Sequence, residues 1–175
     1  KSNCMEGSEK RLAELNRILI NGTEREINER IRLLRSEEPF RGALRLLALL
    51  YDKTGNQNIK LEITNLFNDM KEKSEMAEVI ESLSAVSKQE SRAMLVSSCW
   101  QSGLDYSEFA LPLAEQFFSG DYMTSLECYT VLDTCAGSIS DGDRIKIILR
   151  LQQQIESWET PKQKLAAELI TLLKD

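Results

Sequence analysis

The sequence predicts an all-α fold arranged as a row of helical hairpins, and three observations carry that prediction. About ten stretches hold apolar residues at helical spacing, and none reads as a strand. Three prolines and eight glycines in 175 residues are too few for a many-turned β fold. The odd-numbered stretches open near Ser8, Phe40, Ser74, Asp105 and Ser140, at intervals of 31 to 35 residues, the period of a helical-hairpin repeat. A hairpin leaves one apolar face open, and the next hairpin stacked on it covers that face.

In order along the chain, a flexible N-terminal segment over residues 1–7 precedes a single repeat domain over residues 8–175. Ser8 caps a first helix through residue 20, with Leu12, Leu15 and Leu19 on one face, and Asn21-Gly22 stops it. Thr23 caps the second helix, and Glu26 three residues on completes a capping box. Its stripe is Ile27, Ile31 and Leu34, and Glu26–Arg30 forms an i,i+4 pair on the solvated side. Pro39 suits the first turn of a third helix over residues 40–53. Leucines surround most of that helix, which places it between neighbours. The fourth helix carries Ile59, Ile63, Leu66, Phe67 and Met70 as a clean stripe. Ser74 caps the fifth, with Met76, Val79, Ile80 and Leu83 inward, and the sixth runs over residues 89–102.

Two short turns set the middle of the chain. At the first, Ser102 ends the sixth helix, Gly103 takes the left-handed conformation and Asp105 caps the seventh. Glu108 closes a second box, and Leu104 staples onto Phe109. The seventh helix extends to residue 118, so Pro112 falls in its interior and kinks it. At the second turn, Ser119-Gly120 leads into Asp121, the cap of an eighth helix over residues 121–136. Links this tight force neighbouring helices antiparallel. The ninth helix faces inward with Ile145, Ile148, Leu149, Gln152 and Ile155. Thr160-Pro161 then opens the tenth, with Leu165, Leu169 and Leu172 as its stripe.

The run Trp100-Gln101-Ser102-Gly103-Leu104-Asp105-Tyr106, with Gly120-Asp121-Tyr122 and the stretch from Ser125 to Leu132, resembles a bacterial group of HEAT/armadillo-like helical-repeat proteins. The detailed likeness spans about 45 residues and consists of capping and packing positions. It implies a right-handed α-α superhelix, a solenoid of about five hairpins, acting as an adaptor or scaffold, and it carries over no catalytic residue. The tetratricopeptide repeat has a similar period, but its fixed W, LG, Y, A, F and P pattern is absent.

Composition excludes several chemistries. There is no histidine, so Ser-His-Asp and Cys-His nucleophile systems and histidine-ligated zinc are ruled out. No glycine-rich phosphate loop is present. Cys4, Cys99, Cys128 and Cys135 lack metal-site spacing. Three of them lie within apolar stripes, so the expectation is reduced core thiols and a cytoplasmic setting. Asp141 and Asp143 flank Gly142 without the remaining ligands of a calcium loop and suit the first turn of a helix. No cofactor and no membrane span are expected.

Charge points to the kind of partner. Residues 73–139 carry ten acidic and three basic side chains, whereas the flanking segments are balanced. That potential repels phosphate backbones, so nucleic acid is a poor partner. The expectation is a non-enzymatic module that docks a basic segment of another protein on Trp100, Asp105, Glu108, Asp121, Glu127 and Asp133. The alternative is a small enzyme or ligand carrier whose inter-helix pocket gathers carboxylates with Tyr106, Tyr122 and Tyr129.

Overall fold

The structure, a computed structural model, describes the backbone of residues 2–174 and the side chains of residues 7–174. Among these residues ten α-helices follow one another and no strand occurs. They are α1 (Ser2–Asn21), α2 (Glu24–Leu34), α3 (Ala43–Lys53), α4 (Gln57–Asn68), α5 (Lys73–Leu83), α6 (Gln89–Gln101), α7 (Ala110–Ser119), α8 (Tyr122–Cys135), α9 (Asp141–Gln154) and α10 (Thr160–Lys174). Short 3-10 turns at Ser107–Phe109, Ala136–Ser138 and Ile155–Ser157 lead into α7 and follow α8 and α9. None of the described helices is long and apolar enough to cross a membrane.

Consecutive helices pair as hairpins: α1 with α2, α3 with α4, α5 with α6, α7 with α8, and α9 with α10. The even helices also form one unbroken row, α2 on α4, α4 on α6, α6 on α8 and α8 on α10. The odd helices run beside them as α1 on α3 on α5, and as α7 on α9. Between α5 and α7 no comparable contact forms, and α3 reaches diagonally to α6. One apolar core, from Leu15 to Leu173, threads the rows.

Side-chain links tie each hairpin to the next, and most of them span 30 to 36 residues, close to the interval read from the sequence. Asn56 and Asn58 donate to Glu24 across 32 and 34 residues. The Arg45 N–H donates to Glu78 across 33. Arg35 pairs with Asp69 across 34, and Arg150 with Glu115 across 35. Ser87 donates to Asp52 across 35, and Thr124 to Gln89 across 35. Lys60 meets Glu90 across 30.

Most stripes lie inward as predicted. Ile59, Ile63, Leu66, Phe67 and Met70 are all buried, as are Met76, Val79 and Leu83. Thr23 and Glu26 form the predicted capping box. Glu26 is committed there, so the i,i+4 pair on α2 is Arg25–Glu29 instead of Glu26–Arg30, and Arg30 turns to Glu37.

Several helix starts differ from the prediction, each for a local reason. α1 begins at Ser2, so Ser8 lies within the helix and does not cap it. The flexibility expected of residues 1–7 concerns side chains that, through residue 6, lie outside the described residues. α3 begins at Ala43 because Gly42 adopts φ +94, which no right-handed helix accommodates; Pro39 stays in the preceding link. Glu72 caps α5, and its N–H donates to Glu75, which leaves Ser74 inside the first turn. The N–H of Gln163 bonds the carbonyl of Glu159, so Thr160 is helical and the cap falls one residue earlier.

The seventh and ninth helices differ most. Asp105 accepts the N–H of Ser107 and opens the 3-10 turn, and exposed Glu108 is not the residue it caps. Phe109, at φ −106 and ψ 17, separates that turn from α7. Pro112 is therefore the third residue of α7, where no intrahelical bond is lost, and the reason for a kink disappears. α9 is rotated from the predicted face: Ile147 and Leu151 are buried, whereas Ile145 is 57% and Leu149 51% exposed. Arg144 accounts for the rotation. Its guanidinium donates to the carbonyls of Ile139 (3.2 Å) and Ala136 (2.5 Å), closing the end of α8. Arg144, Ile147, Ile148 and Leu151 share one helix face, so fixing the arginine turns the isoleucine at 147 inward.

Candidate functional site

The residues expected to form an acidic docking surface do not converge on one spot. Asp121 caps α8 by accepting the N–H of Thr124 at 2.8 Å. Asp105 lies by the other end of that helix, within reach of Ser138, and its carboxyl is held below the usual range by hydrogen bonds from Ser107. The 14 residues of α8 separate the two ends by about 20 Å. Glu127 is partly buried and accepts the indole N–H of Trp100 at 2.7 Å, which ties the end of α6 to α8. Glu108 and Asp133 are exposed. Trp100 and Glu127 therefore meet, and the others spread along the α6–α8 region.

Charged groups that do meet bury themselves at helix ends, and sequence reasoning missed them. Asp52, on the core side of α3, accepts the N–H groups of Ser87 (3.1 Å) and Lys88 (2.9 Å) and the Ser87 hydroxyl (2.8 Å). It caps α6 from another hairpin. Burial pushes its carboxyl up, but these donors outweigh burial and hold it well below the usual carboxylate range. Lys162, only 9% exposed, donates to the carbonyls of Phe118 (3.2 Å) and Gly120 (2.8 Å) at the end of α7. Its ammonium lies 4.7 Å from the Trp158 ring, and burial lowers its pKa. The visible signal for both was a charge on an apolar stripe. Asp52 follows Leu44 and Ala48 at helical spacing, and Lys162 precedes Leu165, Ala166 and Leu169.

Three of the four cysteines belong to the core, and the side chain of Cys4 lies outside the described residues. Cys99, Cys128 and Cys135 are free and buried. Burial pushes the Cys99 thiol up to about 12 and the Cys135 thiol up to about 11, which removes both as nucleophiles at neutral pH. The tyrosines do not gather: Tyr106 is buried beside Cys99, Tyr129 is half-buried and Tyr122 is exposed. No group of three acidic, cysteine or histidine side chains among the described residues could hold a metal ion.

A concavity lies in the N-terminal half, away from the acidic middle turns. It is a half-open groove of about 850 Å³. Phe40, Leu44, Leu66 and Met70 line its floor; the end of α2 and the link over residues 36–42 form one wall; the first turns of α5 form the other. Glu78, on the α5 wall, accepts the Arg45 N–H at 3.1 Å and so supplies the cap that Gly42 cannot give α3. Burial raises the carboxyls of Glu75 and Glu78. Cationic side chains on the opposite wall are engaged: Arg35 with Asp69, and Arg32 with Glu62.

Compared with protein families, with curated proteins and with solved structures, the chain matches none.

Proposed function

We propose that this chain is a non-enzymatic helical-repeat scaffold or adaptor, a right-handed α-α superhelix of the HEAT/armadillo-like kind that binds another protein. The observation that carries this reading is the recurrence of inter-hairpin links at one-hairpin spacing, from Glu24–Asn56 to Glu115–Arg150. A row tied in this way offers a continuous surface made of neighbouring repeats. The partner docks a basic segment along the α6–α8 region, on Trp100, Asp105, Glu108, Asp121, Glu127 and Asp133. Ten acidic against three basic side chains over residues 73–139 support that polarity and disfavour a phosphate backbone. Spread along a helix, these acids suit an extended segment better than a compact ligand.

The test is recovery of the bound protein from the native cell, followed by Asp121→Lys and Asp133→Lys in one chain. The reading predicts that capture falls at least fivefold in this variant and weakens as salt rises, because exposed charge attraction is screened. Capture that ignores both changes would contradict docking on this surface.

A second reading, a carrier of small ligands, has the groove beside α5 in its favour. The groove has the carboxylates that reading expects but not the tyrosines, because none of Tyr106, Tyr122 and Tyr129 lines it.

A further inference from the structure

We infer that the groove beside α5 binds a short basic segment of a partner protein, in extended form, with one apolar side chain on the groove floor and Lys or Arg on either side of it. The inference rests on reading the chain as a protein-binding scaffold, and it adds a second contact remote from the α6–α8 acids.

Charge balance inside the groove selects the occupant. Seven carboxylates and four basic side chains line it. Most of the cations are already matched: Arg35 with Asp69, Arg32 with Glu62, and Arg41 with Glu81 at 3.8 Å. Glu37 is shared by Arg11 and Arg30. Among the described residues Glu72, Glu75 and Glu78 have no cation within ion-pair distance. Glu75 and Glu78 are half-buried, and Glu75 is further opposed by the charges of Glu72 and Glu78. Unpaired, partly desolvated like charges are held at a cost that an incoming cation relieves.

Geometry narrows the cation's form. The three carboxylates do not group to hold a single metal ion. They and Glu81 follow α5 from residue 72 to 81, a length of about 14 Å. An extended peptide of about four residues spans that distance. The floor of Phe40, Leu44, Leu66 and Met70 asks for an apolar side chain, which a polyamine or an inorganic cation lacks. One apolar side chain with basic ones before and after it meets both demands, because successive side chains of an extended strand point to opposite sides.

The test uses the whole chain and the fluorescent probe peptide acetyl-Lys-Arg-Leu-Lys-Arg-amide, with acetyl-Glu-Glu-Leu-Glu-Glu-amide as the opposite-charge control. Binding is read by fluorescence anisotropy at low salt. The basic peptide is expected to bind at least tenfold tighter than the acidic one. Affinity should fall at least tenfold in the variant Glu72→Gln/Glu75→Gln/Glu78→Gln, whose amide oxygens still accept the N–H groups of Glu72 and Arg45. The variant Glu156→Gln/Glu168→Gln, at exposed positions of the last hairpin, should stay within twofold of the parent. Should the triple variant fail to fold, the unsubstituted chain decides. In ¹H–¹⁵N correlation spectra the peptide should shift the amides of Phe40 and of residues 72–81. Shifts confined to α8, equal binding of the two peptides, or no binding would each overturn the inference. Shifts on α8 alone would do so while leaving the scaffold reading intact.

Discussion

Asp52 shows how one side chain links sequence, fold and stability. It sits on the buried stripe of α3 yet carries charge, and its three donors belong to the start of α6. Removing it in Asp52→Ala leaves those donors in a half-dry site, so we expect a loss of about 2–3 kcal/mol in urea melts. Because the folded-state carboxyl is held below the usual range, its contribution is present above the unfolded value near 3.9 and is lost as pH falls below it. Stability of the parent should therefore decline more steeply below about pH 4 than that of Asp52→Asn. Two glycines make a second comparison. Gly103, at φ +73, has open space where a Cβ would stand, so Gly103→Ala meets only backbone strain of about 1–2 kcal/mol. Gly120 has an ordinary extended backbone, but a Cβ there would lie 2.5 Å from the carbonyl oxygen of Gln116 and 2.8 Å from Thr124 Cβ. Gly120→Ala should be the more damaging change, at about 3 kcal/mol, because the obstacle is backbone.

At the scale of elements, the distinction is between what a helix decides alone and what its neighbours decide for it. Stripes were legible wherever only one face was apolar, as on α4 and α5. Local caps were legible too, at Thr23 and Asp121. The start of α3 was not, because its cap comes from Glu78 in another hairpin; α6 does begin at residue 89 as expected, but its cap, Asp52 of another hairpin, was not legible. The face of α9 was illegible because its apolar residues spread over roughly half its circumference, and Arg144 fixes which of them turn inward. The candidate site followed the same rule. Its residue identities could be read, but the pairing of Trp100 with Glu127 and the groove beside α5 depend on helices brought together by packing. Lys162 tests the same point at the end of α7. Lys162→Met keeps the apolar stem but leaves the carbonyls of Phe118 and Gly120 without their donor. We expect a loss of about 1–2 kcal/mol in urea melts, with faster amide exchange concentrated where α7 meets α8.

At the scale of the whole molecule, the proposed scaffold is a row of hairpins, each held mainly by its nearest neighbours. The accessible surface of 9686 Å² exceeds the roughly 8,700 Å² expected of a compact protein of 19.9 kDa, which suits a row better than a sphere. In such a row stability is close to a sum of hairpin terms and interface terms, and damage stays near its source. A closed bundle around one centre would share the damage among all its helices. The measurement that separates these is native-state hydrogen exchange, followed helix by helix, in the parent and in Asp52→Ala. The row predicts that protection falls in α3, α5 and α6 and is unchanged in α9 and α10. An equal fall across all ten helices would contradict it.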